Sequence, residues 1–350
     1  MAITGTDTLR VRDRFSPEGA YLNSATYGLP PRASFEAATR AMDEWRHGRC
    51  GFDGWDLSVG ESRRSFARLH GVRPDQVAVG PQVSVFAGVI AASLPAGTRV
   101  LAPRDDFTSL LFPFLAQEGR GVRVDLVALD DLPEAIDAGT DVVAFSAVQS
   151  ADGRVADLDA IVAAARHHGA RTVCDATQAA GWLPLDASRF DATICAAYKW
   201  LLNPRGTAFM AIGDELRDAV VPHTAGWYAA DEPCASLYGG PLTISETAKR
   251  FDVSPAWLSW VAGAPALRML EEVGIEAIHA HDVRLANAFR AGLDLEPSDS
   301  AIVSVDVDED AYGRLERAGV RGAGRGGRLR LSFHLYNDDG DVGRALDILA

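Results

Sequence analysis

Apolar positions along this chain change rhythm three times, and the changes outline its architecture. Near the amino end, Tyr21–Asn23 reads as a short extended piece, followed by a turn at Gly28, Pro30 and Pro31. Phe35, Ala38, Met42 and Trp45 then recur at helical spacing and predict a helix over Ser34–Arg46. Another helix is predicted over Glu61–His70, closed by Gly71. From Val77 onward, short apolar runs alternate with helical stretches. Strands are expected at Val77–Val79, Arg99–Ala102, Val122–Leu129, Asp141–Val148 and Thr172–Cys174. Helices are expected between them at Val83–Leu94, Ser109–Gln117, Leu132–Ala138 and Leu158–His168. Such alternation predicts an α/β fold, a mainly parallel sheet with helices on both faces. Two further runs, Ala192–Ala196 and Thr207–Ile212, follow without long helices, as at an antiparallel edge or a quick return crossing.

Beyond Leu216 the pattern loosens. Thr224–Pro241 holds Trp227, Tyr228 and Tyr238 among Gly, Ala and Pro and reads as irregular. Two long helices are predicted at Pro255–Val273 and Glu276–Leu293. A strand at Ala301–Val307, a helix at Glu309–Ala318, a strand at Leu329–Phe333 and a helix at Asp341–Leu349 complete a small α+β unit. The glycine-rich Gly322–Gly327 reads as a loop. The expected organisation is an amino-terminal segment (1–20) packing with a small carboxyl-terminal domain (251–350), and a large domain (21–250) between them.

Composition narrows the function. Of 350 residues, 47% are hydrophobic and 23% charged, enough for a sizeable core. The formal net charge of −14 argues against nucleic acid or an anionic membrane as a partner. Cys50, Cys174, Cys195 and Cys234 show no metal-ligand or disulfide spacing, so no metal is expected. There is no apolar run of membrane-spanning length and no signal-like start, so a cytoplasmic protein is expected.

The chemistry concentrates in Arg171–Gly206. Two apolar runs there deliver Asp175 and Lys199 to strand ends, where α/β sheets build their clefts. A desolvated lysine loses proton affinity and becomes an amine fit for a Schiff base; taken alone, a lysine at a strand end reads more readily as one reaching solvent. Asp175 suits a cofactor's ring nitrogen or, more plainly, a helix cap. The turn Gly80–Ser84, between a strand and a helix, offers free N–H groups to a phosphate.

Asp-Ala-Thr-Gln at 175–178, with Tyr-Lys-Trp-Leu-Leu-Asn-Pro-Arg-Gly at 198–206, resembles the class V aminotransferase family of fold-type I pyridoxal-phosphate enzymes. The resemblance runs from about Tyr21 to the end. It implies pyridoxal 5′-phosphate as cofactor, Lys199 as its Schiff-base lysine, Asp175 at the pyridine nitrogen and Gln178 beside the 3′-oxygen. Gln82, Val83 and Ser84 would hold the phosphate, Tyr198 would reach it, and Phe107 would stack on the ring where relatives often carry histidine. Arg330, in the run Arg-Leu-Ser-Phe-His-Leu-Tyr-Asn, would clamp the substrate carboxylate, with Gln149 and Asn23 nearby. The family also implies a homodimer, with Trp227 and Tyr228 as candidates for the partner's pocket. Val320–Arg328 lacks the cysteine that desulfurases carry before this arginine. The expected reaction is carbon–sulfur cleavage or a related β-elimination on an amino acid or its conjugate. Transamination and then epimerisation are the alternatives, and a cofactor-free scaffold is the reading from another class.

Overall fold

A computed structural model describes residues 11–308 and 310–349. Twelve strands are labelled in chain order among these residues. They are β1 (Ala20–Tyr21), β2 (Val77–Gly80), β3 (Arg99–Pro103), β4 (Arg123–Val127), β5 (Val142–Ser146), β6 (Arg171–Asp175), β7 (Ala192–Ala196), β8 (Ala208–Ile212), β9 (Ile302–Val305), β10 (Val320–Arg321), β11 (Ala323–Arg325) and β12 (Arg328–Ser332).

Seven strands form the main sheet, in the order β2-β8-β7-β6-β5-β3-β4. The contacts among β4, β3, β5, β6 and β7 are parallel. β8 slips between β7 and β2 and runs antiparallel to both, so the quick return places it inside the sheet. The two faces separate residue by residue. Val79, Phe145, Cys174, Cys195 and Phe209 enter one apolar core, whereas Ala78, Ala144, Val173, Ile194 and Met210 enter the other. A strand buried on both faces has no polar alternation to show, which is why these segments read as unbroken apolar runs. The helix Val83–Ser93 packs on the second face through Phe86, Val89 and Ile90, and Leu158–His168 packs on the first through Ile161, Val162 and Ala165.

A third core joins the antiparallel sheet β11-β12-β9 to the helices Ile275–Ala291 and Asp339–Leu349. β1 pairs in parallel with β10, and Asn23 bridges to Ser332, so the start of the described chain is stitched to its carboxyl-terminal part. The first half of the expected 1–20 segment lies outside the described residues.

Two local expectations fail for identifiable reasons. The helix expected over Glu61–His70 begins at Phe52 and ends at Leu69. Its buried face carries Ser62 and Ser65 beside Val59 and Phe66, because it packs closely against the helix Trp257–Val273. Small polar residues at a close helix contact blur the apolar period. The glycine-rich loop is instead half strand: β11 and β12 form a hairpin turned by Gly326 and Gly327, with φ of 56° and 79°. A two-residue turn with both φ values positive matches the twist of paired strands, and glycine adopts it freely. No described helix is long and apolar enough to cross a membrane.

Candidate active site

The carboxyl ends of β5, β6 and β7 open onto one cavity of about 370 Å³. Asp175, Gln178, Tyr198, Lys199, Gln82, Val83 and Phe107 all line it, so seven of the sequence-predicted residues converge. Lys199 lies in the turn after β7, and that turn is gripped by glycines. A Cβ at Gly28 would stand 2.0 Å from the Lys199 carbonyl oxygen, and one at Gly181 would stand 2.4 Å from that of Trp200. Only glycine permits backbones this close.

Lys199 is buried, and its Nζ stands 5.3 Å from the centroid of the Phe107 ring. Burial drives its proton affinity below that of an ordinary lysine; Asp175 opposes the shift, and Arg330 adds to it. Asp175 moves the opposite way. Its burial raises its proton affinity, against hydrogen bonds from Thr177 and the charge of Lys199, with Asp106 assisting the rise. The backbone N–H of Thr177 donates to Asp175 Oδ1 at 2.8 Å and fixes the carboxylate at the strand end.

At the other side of the cavity, the helix Val83–Ser93 starts with Gln82 in extended backbone and no side-chain cap. Its first N–H groups therefore remain available to an anion. Arg205 also lines the cavity, its guanidinium 4.1 Å from the centroid of the Tyr198 ring, with no carboxylate within 4.0 Å among the described residues. Phe107 keeps 45% of its surface exposed beside Lys199.

Gln178 is more committed than its sequence suggests. Its Nε2 donates to Ala25 O at 2.9 Å and to Ser150 Oγ at 3.0 Å, while Trp200 Nε1 donates to its Oε1 at 2.8 Å. The indole thereby fixes which end of the amide faces Ser150. Ser150 links onward to Arg330, whose Nη1 donates to Ser150 O and, at 3.2 Å, to Ser150 Oγ. Arg330 Nη2 donates to Thr26 Oγ1 at 2.7 Å. Arg330 is buried with no carboxylate partner among the described residues, and its Nε finds no acceptor. Burial, and then the charge of Arg325, lower its proton affinity, yet a guanidinium stays charged at neutral pH. An unpaired buried cation is costly, so an anion that reached Arg330 would be favoured there.

Other expected residues are positioned differently. Gln149 is buried but reaches toward Asp106 at 3.5 Å, and Ser146 and Ser150 line the cavity in its stead. Neither Ser84 nor Arg330 is among the lining residues; Arg330 lies behind Ser150, which lines the cavity. Asn23 bridges to Ser332, and its Oδ1 is buried without a partner. Trp227 and Tyr228 belong to an aromatic group of their own chain with Phe52 and Trp257, and the Tyr228 hydroxyl bonds to Asp56.

Sequence reasoning missed Thr26, Asp106, Ser150 and Arg205. Asp106 accepts from the backbone N–H of Phe107 at 2.6 Å and of Ser146 at 2.7 Å, and from the Ser146 hydroxyl. One strong signal was available for Lys199: the chain has only two lysines, 199 and 249, among its 34 Lys and Arg. Where arginine serves nearly every cationic position, a retained buried lysine marks chemistry that only an amine performs.

The sequence profile of the aminotransferase class-V family matches residues 81–313. An uncharacterized aminotransferase, YcbU, of Bacillus subtilis strain 168 is 30% identical over 83% of this chain and 82% of its own length. Isopenicillin N epimerase of Streptomyces clavuligerus is 26% identical over 100% of this chain and 98% of its own. Among solved structures, the cystine C–S lyase C-DES, determined with its product cysteine persulfide, superposes with a TM-score of 0.85 at 20% identity. That superposition covers 95% of this chain and 97% of the lyase.

Proposed function

The chain belongs to the aminotransferase class-V family, and from that membership we propose that it cleaves a carbon–sulfur bond in a cysteine conjugate by β-elimination. It is a pyridoxal-phosphate enzyme, and the cavity's donor set fits that cofactor. A buried carboxylate, Asp175, suits the ring nitrogen; the exposed face of Phe107 suits the ring; the uncapped turn at Gln82–Ser84, with Arg205, suits the phosphate; Lys199 suits the aldehyde carbon. Tyr198 stacks under Arg205 and holds it toward the same end. When bound, the cofactor supplies an electron sink for the pair left at Cα.

The chain's own residues do the rest. Arg330 takes the substrate carboxylate on the edge carrying its unpartnered Nε. Lys199 Nζ, inclined by burial to the neutral amine, accepts the Cα proton. The Cβ–S bond then breaks with its electron pair on sulfur, and the Lys199 ammonium returns the proton there. Phe107 carries no titratable group, so Lys199 is the proton carrier beside it.

The observation that carries this reading is the hairpin β11–β12. It brings Arg330 to the site yet holds no thiol between Val320 and Arg328, so no residue there can take over the sulfur. The sulfur leaves as a small product. A second reading, transamination with a 2-oxo acid, is favoured by the aminotransferase relative at 30% identity, and it uses the same Lys199. Epimerisation ranks third, on the 26% relative. The working form is a homodimer in this reading, with Phe112 (60% exposed) and Tyr238 (94% exposed) as apolar surface for a partner to cover.

Cofactor-loaded enzyme incubated with S-alkyl cysteines should release pyruvate, ammonia and thiol, measured by mass spectrometry. Turnover only on addition of a 2-oxo acid would sink the lyase reading and favour the second.

A further inference from the structure

The hairpin that delivers the buried Arg330 also delivers Arg325, an exposed cation with no carboxylate partner among the described residues. Arg325 pairs across the hairpin with Arg328, and Arg330 lies two residues further along the same strand, so all three share one face. Arg328 is answered: its Nη1 meets Asp306 at 2.9 Å, and it donates to Ser304. Arg325 and Arg330 have no carboxylate within 4.0 Å among the described residues. Both turn instead to one hydroxyl. Arg330 Nη2 donates to Thr26 Oγ1 at 2.7 Å and Arg325 Nη2 donates to it at 3.3 Å, so these nitrogens lie at most about 6 Å apart. Like charges this close, with no counter-charge, repel.

Hydrogen-bond accounting points the same way. Thr26 Oγ1 accepts from two arginines, and Ser150 Oγ accepts from Gln178 and Arg330. Each hydroxyl therefore turns its own hydrogen elsewhere, and no described residue accepts it. With the unpartnered Nε of Arg330, this corner of the site consists of donors awaiting acceptors. One carboxylate fills the Nε–Nη2 fork of Arg330, since that is the full reach of a bidentate pair. Arg325 is then left over. It makes one bond to the carbonyl of its neighbour Gly324 and one to Thr26. This cationic corner belongs to a chain whose net charge is −14, so it is not a general surplus of positive charge.

We propose that the substrate carries a second anionic group besides its α-carboxylate, and that Arg325, supported by Thr26, selects for it. The substrate class is an amino acid whose side chain or sulfur-linked arm ends in a carboxylate. This rests on the reading in which Arg330 holds the α-carboxylate.

The test compares two inert five-carbon acids, glutarate and pentanoate, by isothermal titration of the cofactor-loaded protein. Glutarate should bind at least about tenfold more tightly. In Arg325→Met the two should bind within about twofold of each other, and Arg325→Lys should restore part of the preference. Equal binding of both acids by the wild type would overturn the proposal. So would an Arg325→Met variant that weakens both acids alike, because that is the mark of one carboxylate shared by two arginines. Failure of the cofactor reading registers separately, as the absence of a visible absorption band bleached by borohydride, while the ratio of the two acids still decides the role of Arg325.

Discussion

Asp106→Asn tests whether the cavity wall is held as described. Asp106 is buried, and its Oδ1 accepts the Phe107 N–H at 2.6 Å and the Ser146 hydroxyl. Its Oδ2 accepts the Ser146 N–H at 2.7 Å and approaches the Gln149 amide at 3.5 Å. An asparagine keeps only one acceptor oxygen. If its NH2 replaces Oδ1, it faces the Phe107 N–H; if it replaces Oδ2, it faces the Ser146 N–H. The Ser146 hydroxyl and the Gln149 amide can turn round and accept, but a backbone N–H cannot. Either orientation therefore strands one buried donor, at about 1–3 kcal/mol, and the surviving bonds lose their charge assistance, roughly another 1 kcal/mol. Relief from desolvating a carboxylate works the other way, which keeps the loss below the roughly 3–5 kcal/mol of a broken buried ion pair. A net destabilisation of about 1–3 kcal/mol is expected, read as a fall of a few degrees in the melting temperature of the apo protein by circular dichroism. Asp105→Asn is the matched control: Asp105 is exposed, and its change should stay within about 0.5 kcal/mol. Coincident melting curves for the two variants would refute the assignment of Asp106 as the residue that fixes Phe107 and Ser146.

Three further outcomes follow from the geometry. Burial lowers the pKa of His70 to about 4 from 6.5, so only the unfolded chain takes up its proton as pH falls through that window. Stability should drop by about 3 kcal/mol between pH 6.5 and 4 on this account, and His70→Gln should flatten that slope in urea titrations; an unchanged slope would disprove it. Gly28→Ala puts a Cβ 2.0 Å from the Lys199 carbonyl oxygen, so a loss of at least about 1–3 kcal/mol and weakened cofactor uptake are expected, and normal uptake would contradict the packing. Arg330→Gln removes a positive neighbour that disfavours the Lys199 ammonium, so acylation of Lys199 in the apo protein should require a higher pH than in the wild type. Mass spectrometry can follow it with Lys249, the other lysine, as internal reference; an unshifted profile would show that the two charges do not interact.

The order of strands and helices was legible because every strand of the main sheet except the partly exposed edge strand β4 is buried on both faces, and the covering helices bury one face. Asp175, Lys199 and the Gln82–Val83 turn were legible too, because strand-end position alone carries them into the cleft. Gln149 and Ser150 were not separable in this way. They are neighbours in one loop, and only the path of that loop turns the first to Asp106 and the second to the cavity and Arg330.

By itself, the sequence determined the α/β class, which rests on short-range periodicity, and it carried the family resemblance with the cofactor that this implies, which rest on the motifs at 175–178 and 198–206. Tertiary structure decided how the anion corner is assembled. Thr26, Ser150, Gln178, Arg325 and Arg330 come from four separate stretches of chain, and hydrogen-bond directions between them appear only when those stretches meet. It also decided that a glycine-rich segment is a hairpin, because pairing with β12 supplies bonds that a loop could not provide for itself. That pairing brings Arg325 beside Arg330, where the two arginines donate to one threonine hydroxyl.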